Sequence, residues 1–158
     1  MIEAMRLPPR WRKLLLIAHV IGGVGWLGAE LVLLALAISG ARGTDPQTIY
    51  PAAAYIGTWV VAPLAVLSLC TGLLQGPLTP WGLVTHWWVT IKLVLTAVMT
   101  GLVFFALLPA LRAAVGESLT AADRVNLVVA PSVASSLLLL NTVLAVYKPG
   151  GRIRARRG

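Results

Sequence analysis

Four long apolar segments limit what this chain can fold into. They lie at about residues 14–39, 52–75, 86–110 and 122–147. Each is longer than the about 20 residues that an α-helix needs to cross about 30 Å of hydrocarbon. A chain in lipid must pair its backbone N–H and C=O groups internally, so segments of this length fold as helices. The sequence therefore predicts an all-α fold: an integral membrane four-helix bundle that forms a single domain.

Composition supports this class and excludes several kinds of site. Hydrophobic residues make up 58% of the chain and charged residues 11%, whereas soluble domains carry about 25% charged residues. The single cysteine, Cys70, excludes an internal disulfide and a multi-cysteine metal site. Two histidines and five acidic residues are also few for a metal cage. We expect a multi-pass membrane protein.

Basic residues predict the orientation of the helices. Nine of them lie before the first apolar segment or after the last one, whereas three lie in the connections on the opposite side. The nine are Arg6, Arg10, Arg12, Lys13, Lys148, Arg152, Arg154, Arg156 and Arg157, and the three are Arg42, Arg112 and Arg124. Because short loops rich in lysine and arginine stay in the cytoplasm, both termini are expected there. The net charge of +8 thus indicates topology rather than a nucleic-acid partner, and the arginines of the C-terminal tail are expected to bind anionic lipid headgroups.

Two local signals concern the helices themselves. Thr120 and Asp123 have the spacing of a capping box, which predicts the start of the fourth helix. Pro63 and Pro131 lie inside the second and fourth apolar segments. A proline inside a helix lacks the N–H donor and crowds the preceding turn. Each of these two helices is therefore expected to be kinked or locally unwound.

Polar residues of several segments are expected at one depth. His19 lies about six residues into the first segment and Lys92 about six residues into the third, so both lie about 9 Å from the cytoplasmic ends of their helices. Asn141 lies a similar distance before the end of the fourth segment. Thr71 of the second segment comes to nearly the same depth. The sequence therefore predicts a polar layer in the cytoplasmic half of the bundle.

One stripe of the first helix carries polar and aromatic residues. His19, Gly23, Trp26 and Glu30 follow a spacing that places them on the same face. Glu30 lies about 16 Å from His19 along the axis and is expected near the outer interface or in a wet vestibule. The glycines beside this stripe form either a close contact with another helix or a trough for a cofactor; they are Gly22, Gly25 and Gly28.

Two polar residues, Lys92 and His19, allow more than one interpretation. Lys92 either extends its ammonium group to the headgroups or pairs with an acidic group of a ligand, since no acidic residue lies at its depth. His19 either makes a structural hydrogen bond to Asn141 or to a carbonyl of the fourth helix, or it binds a ligand. His86, beside two tryptophans, is expected at the membrane interface on another face of the third helix.

Two short segments resemble known families. HVIGGVGWLG (residues 19–28) resembles helix 1 of the copper resistance protein D superfamily, and the same histidine–tryptophan spacing occurs in the four-helix membrane protoporphyrinogen oxidases of bacteria. WVTIKLVLT (residues 88–96) is similar to helix 3 of those oxidases, in which a tryptophan shortly precedes a lysine. As a whole the chain looks like a family of predicted bacterial four-helix integral membrane proteins.

The resemblance implies a haem b that is held through the helix 1 histidine, which is His19 here. It also implies that the helix 3 lysine, Lys92, lies close to an acidic propionate of that haem. The chain has Leu33 and Leu34 where the oxidases carry an arginine, and Val103 where they carry a histidine. The resemblance therefore implies the fold and the histidine ligand, and does not extend to the oxidase activity itself.

The sequence leaves three functions open. The first is a redox-cofactor protein, with His19 as metal ligand of haem b and with Lys92, Trp26 and Asn141 as further cofactor-binding residues. The second is a cofactor-free accessory or structural subunit of a larger membrane complex or of a homo-oligomer. The third is a transporter of a small solute or a metal, which the two prolines inside helices favour. The sequence contains no recognisable catalytic dyad, nucleophile or phosphate-binding loop.

Overall fold

The computed structural model describes residues 8–78, 86–116 and 119–147, and these residues form an all-helical bundle. Four helices are long and apolar enough to cross a membrane. They are helix 1 (Pro9–Ala41), helix 2 (Pro46–Gly76), helix 3 (Trp87–Gly116) and helix 4 (Ala121–Tyr147). The four predicted helices and the all-α fold are thus confirmed. The basic C-terminal tail lies outside the described residues. It contains the four arginines that are expected to bind lipid headgroups: Arg152, Arg154, Arg156 and Arg157.

Capping residues explain why helices 1 and 2 begin earlier than their apolar segments. Helix 1 begins with Pro9 in its first position, where proline loses no hydrogen bond. Asp45 caps helix 2: one carboxylate oxygen accepts the Gln47 N–H at 3.1 Å and the other accepts the Thr48 hydroxyl at 2.8 Å. Hydropathy detects the apolar part of a helix, whereas such polar caps lie outside it. Gly43, with φ of +93°, makes the turn between the two helices in the left-handed region.

The capping box at the start of helix 4 is confirmed. The Asp123 N–H donates to the Thr120 hydroxyl at 3.2 Å, and the Thr120 N–H donates to a carboxylate oxygen of Asp123 at 3.0 Å. These reciprocal bonds satisfy two backbone donors that the first turn of a helix leaves without partners.

The helices pack in a square, so that helices 1 and 3 each contact helices 2 and 4. Gln75 donates to the Leu15 carbonyl at 3.3 Å, which places the end of helix 2 beside the start of helix 1. We call this end of the bundle, where helix 1 begins and helix 4 ends, the terminus end. The close-contact interpretation of the glycines is confirmed at two positions. A Cβ at Gly22 would lie 3.1 Å from the Ser68 backbone nitrogen, and one at Gly25 would lie 3.3 Å from the Leu64 side chain.

Helices 2 and 3 each contain one π-helical turn, at Gly57–Val61 and Val103–Leu107, and the two turns contact each other. Each ends two residues before a proline, Pro63 or Pro109. A proline ring clashes with the carbonyl four residues earlier and offers no N–H, and a wider turn relieves that clash. Local unwinding is thus confirmed at Pro63. Around Pro131 helix 4 remains α-helical, and Pro109 was not anticipated.

Apolar side chains cover the outside of the bundle as well as its core. Trp26 and Val61 are fully buried, whereas Phe105 is 88% exposed and Trp59 is 68% exposed. Large exposed apolar areas on a protein indicate contact with a partner or a membrane. The outer surface of this bundle therefore suits hydrocarbon on all sides.

Candidate functional site

His19 lies at the terminus end, between helices 1 and 2. Its Nδ1 lies 3.1 Å from the Ser68 carbonyl oxygen and 2.9 Å from the Thr71 hydroxyl. A carbonyl oxygen accepts only, so Nδ1 carries the proton that is donated to Ser68. The Thr71 hydroxyl donates to the Leu67 carbonyl at 2.6 Å and can therefore accept from Nδ1 as well. The neutral ring then has its lone pair on Nε2.

Gly72 lets the imidazole lie directly against the backbone of helix 2. A Cβ at this position would be 3.3 Å from the His19 Cε1 atom. One of the two interpretations of His19 was a structural hydrogen bond to Asn141 or to a carbonyl of helix 4; the partners named there are wrong, because the hydrogen bonds go to Ser68 and Thr71 of helix 2. Helix 1 carries His19 on the side that faces helix 2, and equal depth along four helices does not reveal which neighbour a side chain faces. The inclusion of Thr71 in the polar layer is confirmed.

Lys92 is half-buried, and its ammonium nitrogen lies 5.9 Å from the centre of the Trp88 ring. Trp88 lies one turn nearer the terminus end, so the lysine side chain runs back along its helix, as helical side chains do. The charge lies over the π face of the indole, which attracts cations. This geometry directs the ammonium group toward the terminus end, which is also the end at which His19 lies.

Asn141 belongs to a second polar cluster, between helices 3 and 4. Its amide nitrogen donates to the Thr96 hydroxyl at 3.0 Å, and that hydroxyl donates to the Lys92 carbonyl at 2.8 Å. The Asn141 Oδ1 atom is buried and has no partner among the described residues. The polar layer therefore consists of two clusters, His19–Ser68–Thr71 and Thr96–Asn141. The backbone carbonyl of Lys92 belongs to the second cluster.

Trp26 lies two turns farther along helix 1 and is not part of either cluster. Its indole N–H donates to Glu30 Oε1 at 3.1 Å, and both side chains are 0% exposed. Glu30 is therefore in the interior, and the expectation of an outer interface or a wet vestibule is wrong. Position along the helix suggested the outer half, but the stripe that carries Glu30 faces the centre of the bundle. The second oxygen, Oε2, has no partner among the described residues.

His86 directly precedes helix 3, in an extended conformation, and is 8% exposed. The protein therefore buries it at the end of the helix, where the sequence suggested an interfacial side chain. His19 lies on helix 1, whereas His86 directly precedes helix 3. The hydrogen bonds of His19 go to helix 2 and not to helix 3. From its position in the sequence alone, His86 could not be assigned to a site covered by protein rather than to the membrane interface.

The donor set around His19 suits some ligands better than others. No group of three or more histidine, cysteine, aspartate or glutamate side chains that could hold a metal ion exists in the part of the chain that the structure describes. A bare metal ion would need such a group. A haem needs one or two axial ligands on its iron, and a single imidazole with a free lone pair meets the smaller requirement.

Comparison of the chain with protein-family models, with curated proteins and with solved structures finds no match.

Proposed function

We propose that this chain is a multi-pass membrane protein with both termini in the cytoplasm, and that it binds a haem b through Nε2 of His19. The four apolar helices and the excess of basic residues beyond them support the membrane topology. The hydrogen bond from Nδ1 of His19 to the Ser68 carbonyl carries the cofactor proposal.

That hydrogen bond is the kind that accompanies metal-binding histidines. Such histidines usually donate their other ring N–H to a carbonyl or a carboxylate, which sets the tautomer and the orientation of the ring. His19 already makes this hydrogen bond to the Ser68 carbonyl of helix 2. Gly72 adds to it, because a larger residue there would push the ring away from Ser68.

Lys92 would supply the positive charge for a propionate of the haem, since its ammonium group lies over Trp88, toward the end of the bundle at which His19 also lies. Trp26 lies two turns farther along helix 1, and Asn141 bonds to Thr96 between helices 3 and 4, so neither belongs to the proposed site. When bound, a haem supplies one-electron redox chemistry. The residues of the chain hold the imidazole in one tautomer, orient it and provide a neighbouring charge.

The experiment is an absorption spectrum of the protein after purification in detergent from haem-replete cells. We expect a Soret band, its loss in His19→Ala and its retention in His86→Ala, which is the matched control because His86 is the other histidine. A colourless wild-type protein would contradict the haem proposal. Equal loss in both variants would mean that the two imidazoles share one iron.

The orientation has a separate test. A reporter fused after Gly158 should be active as a cytoplasmic reporter and inactive as a periplasmic one, because nine basic residues flank this side of the helices. Periplasmic activity would contradict the topology and leave the haem proposal to be judged by the spectrum.

A cofactor-free accessory subunit is the second candidate, and one observation favours it. His19 has hydrogen-bond partners on helix 2, and Lys92 lies over Trp88, so the protein itself stabilises both side chains. Gly22 and Gly25 contact helix 2 inside the bundle, so a partner subunit would bind another face. A colourless preparation that copurifies with stoichiometric membrane proteins selects this candidate.

A further inference from the structure

Glu30 has no charge partner at its level of the bundle. Its own helix carries no other charged side chain from Val20 to Ala41, and the described stretches 56–67, 96–108 and 128–140 of the other three helices carry no titratable side chain. His19 and Lys92 lie toward the terminus end, and Tyr50 and Arg42 lie toward the opposite end. A carboxylate here would be a buried charge without compensation, which membrane proteins accept at functional positions.

A second buried oxygen, that of the Ser135 hydroxyl on helix 4, lies at the same level as Glu30. Leu33 and Ala37 of helix 1 meet Leu127 and Pro131 of helix 4 around a small apolar cavity of about 10 Å³. One helical turn from these residues toward the terminus end brings Glu30 on helix 1 and Ser135 on helix 4, because the two helices are antiparallel.

Ser135 is 4% exposed, and its hydroxyl oxygen, like Glu30 Oε2, has no partner among the described residues. The other serines of this part of helix 4 behave differently: the Ser132 hydroxyl donates to the Val128 carbonyl at 2.8 Å, and the Ser136 hydroxyl donates to the Ser132 carbonyl at 2.9 Å. Buried polar groups in folded proteins are normally paired. Two unpaired oxygens at one level of two contacting helices therefore indicate a shared ligand.

We propose that Glu30 and Ser135 form a proton-binding site in the middle of the bundle. The proton resides on Oε2 of Glu30 and is donated toward the Ser135 hydroxyl through one water, because the two oxygens do not bond to each other directly. Two oxygens are too few for Ca²⁺ or Mg²⁺, which take six or more, whereas a proton needs one oxygen to bind and one to accept. Trp26 holds the other carboxyl oxygen and so orients the group. The site lies about 16 Å along the axis from His19 and does not depend on the haem proposal.

Infrared difference spectroscopy tests the site. Wild type minus Glu30→Gln at neutral pH should contain the C=O stretch of a protonated carboxylic acid, and this band should shift in D₂O because the proton exchanges. Glutamine keeps an oxygen that can accept the Trp26 N–H, so the variant should fold. Glu30→Asp, which keeps a carboxyl on a shorter stem, should return a displaced band. A carboxylate spectrum for Glu30 at neutral pH would overturn the proposal.

Two serine variants test the second member of the site. Ser135→Ala removes the acceptor of the proton, so the C=O band should move to higher frequency as its hydrogen bonding weakens. Ser132→Ala is the matched control, because that hydroxyl is already bonded to its own helix, and it should leave the band in place. Equal spectra for Ser135→Ala and wild type would remove Ser135 from the site and overturn the proposal as stated.

Discussion

Helix 1 carries two polar side chains in opposite environments. His19 is half-buried at the terminus end and bonds to the backbone and side chain of helix 2. Glu30 is fully buried, and its one hydrogen bond comes from Trp26 of the same helix. His19 therefore helps to hold two helices together, whereas Glu30 is held by local geometry inside the apolar core.

This contrast has a physical cause in the packing of small residues. Near His19, Gly22 and Gly72 let helices 1 and 2 approach until side chains reach the opposite backbone. Near Glu30, helix 2 widens into the π-helical turn Gly57–Val61. Close approach favours interhelical hydrogen bonds, as at His19, whereas the hydrogen bond that Glu30 accepts comes from Trp26 of its own helix. Four substitutions test this contrast.

Trp26→Ala should give the largest loss of stability. Trp26 is 0% exposed, and replacing a buried tryptophan by alanine costs about 3–5 kcal/mol because it leaves a cavity. It also removes the hydrogen bond to Glu30. Thermal unfolding in detergent measures the loss. Trp59→Ala, at a position that is 68% exposed, is the control and should change little; equal losses would contradict the assignment of Trp26 to the core.

Lys92→Met should separate the two interpretations of this lysine. Methionine keeps an apolar stem and removes the charge. If Lys92 pairs with an acidic ligand group, bound ligand per protein should fall more than tenfold, which corresponds to about 1.4 kcal/mol, and Lys92→Arg should recover part of it. A Lys92→Met protein that keeps its full ligand content and melts no lower than wild type would contradict the pairing and leave the contact with Trp88 as the role of the lysine.

Thr71→Val should have a moderate effect on the His19 cluster. Valine is close in shape to threonine and removes one acceptor of Nδ1, while the Ser68 carbonyl remains. A typical hydrogen bond contributes about 1 kcal/mol, so the free energy of unfolding should fall by about that amount. Thr142→Val is the matched control, because the Thr142 hydroxyl donates to the Leu138 carbonyl of its own helix. Equal effects of both variants would show that His19 gains nothing from Thr71.

Glu30→Gln should have the smallest effect at neutral pH. The amide oxygen can accept from Trp26, and no charge partner at this level is lost. The unfolded chain releases the glutamate proton above about pH 4.3. From there upward the folded wild type, which still holds the proton, should lose stability with rising pH until it releases the proton too, whereas Glu30→Gln should not. Melting curves in detergent across pH measure this, and parallel curves would contradict a proton on Glu30.

Much of the fold could be predicted from the sequence because it depends on local properties. Segment length and apolarity determine the four helices, and the capping box at Thr120 and Asp123 acts within one turn. Helical spacing also placed Trp26 and Glu30 on one face, where they now form a hydrogen bond. The depth of Thr71 relative to His19 followed from the rise per residue.

The partners of those residues were decided by the tertiary structure. Depth along the helix axis placed His19, Lys92 and Asn141 in one layer. It could not show that this layer consists of two separate clusters, one between helices 1 and 2 and the other between helices 3 and 4. The rotation of each helix about its axis determines that His19 meets Ser68 and that Glu30 faces the core. That rotation results from how closely all four helices can pack, chiefly at glycines and at the π-helical turns before Pro63 and Pro109, and therefore depends on the whole bundle at once.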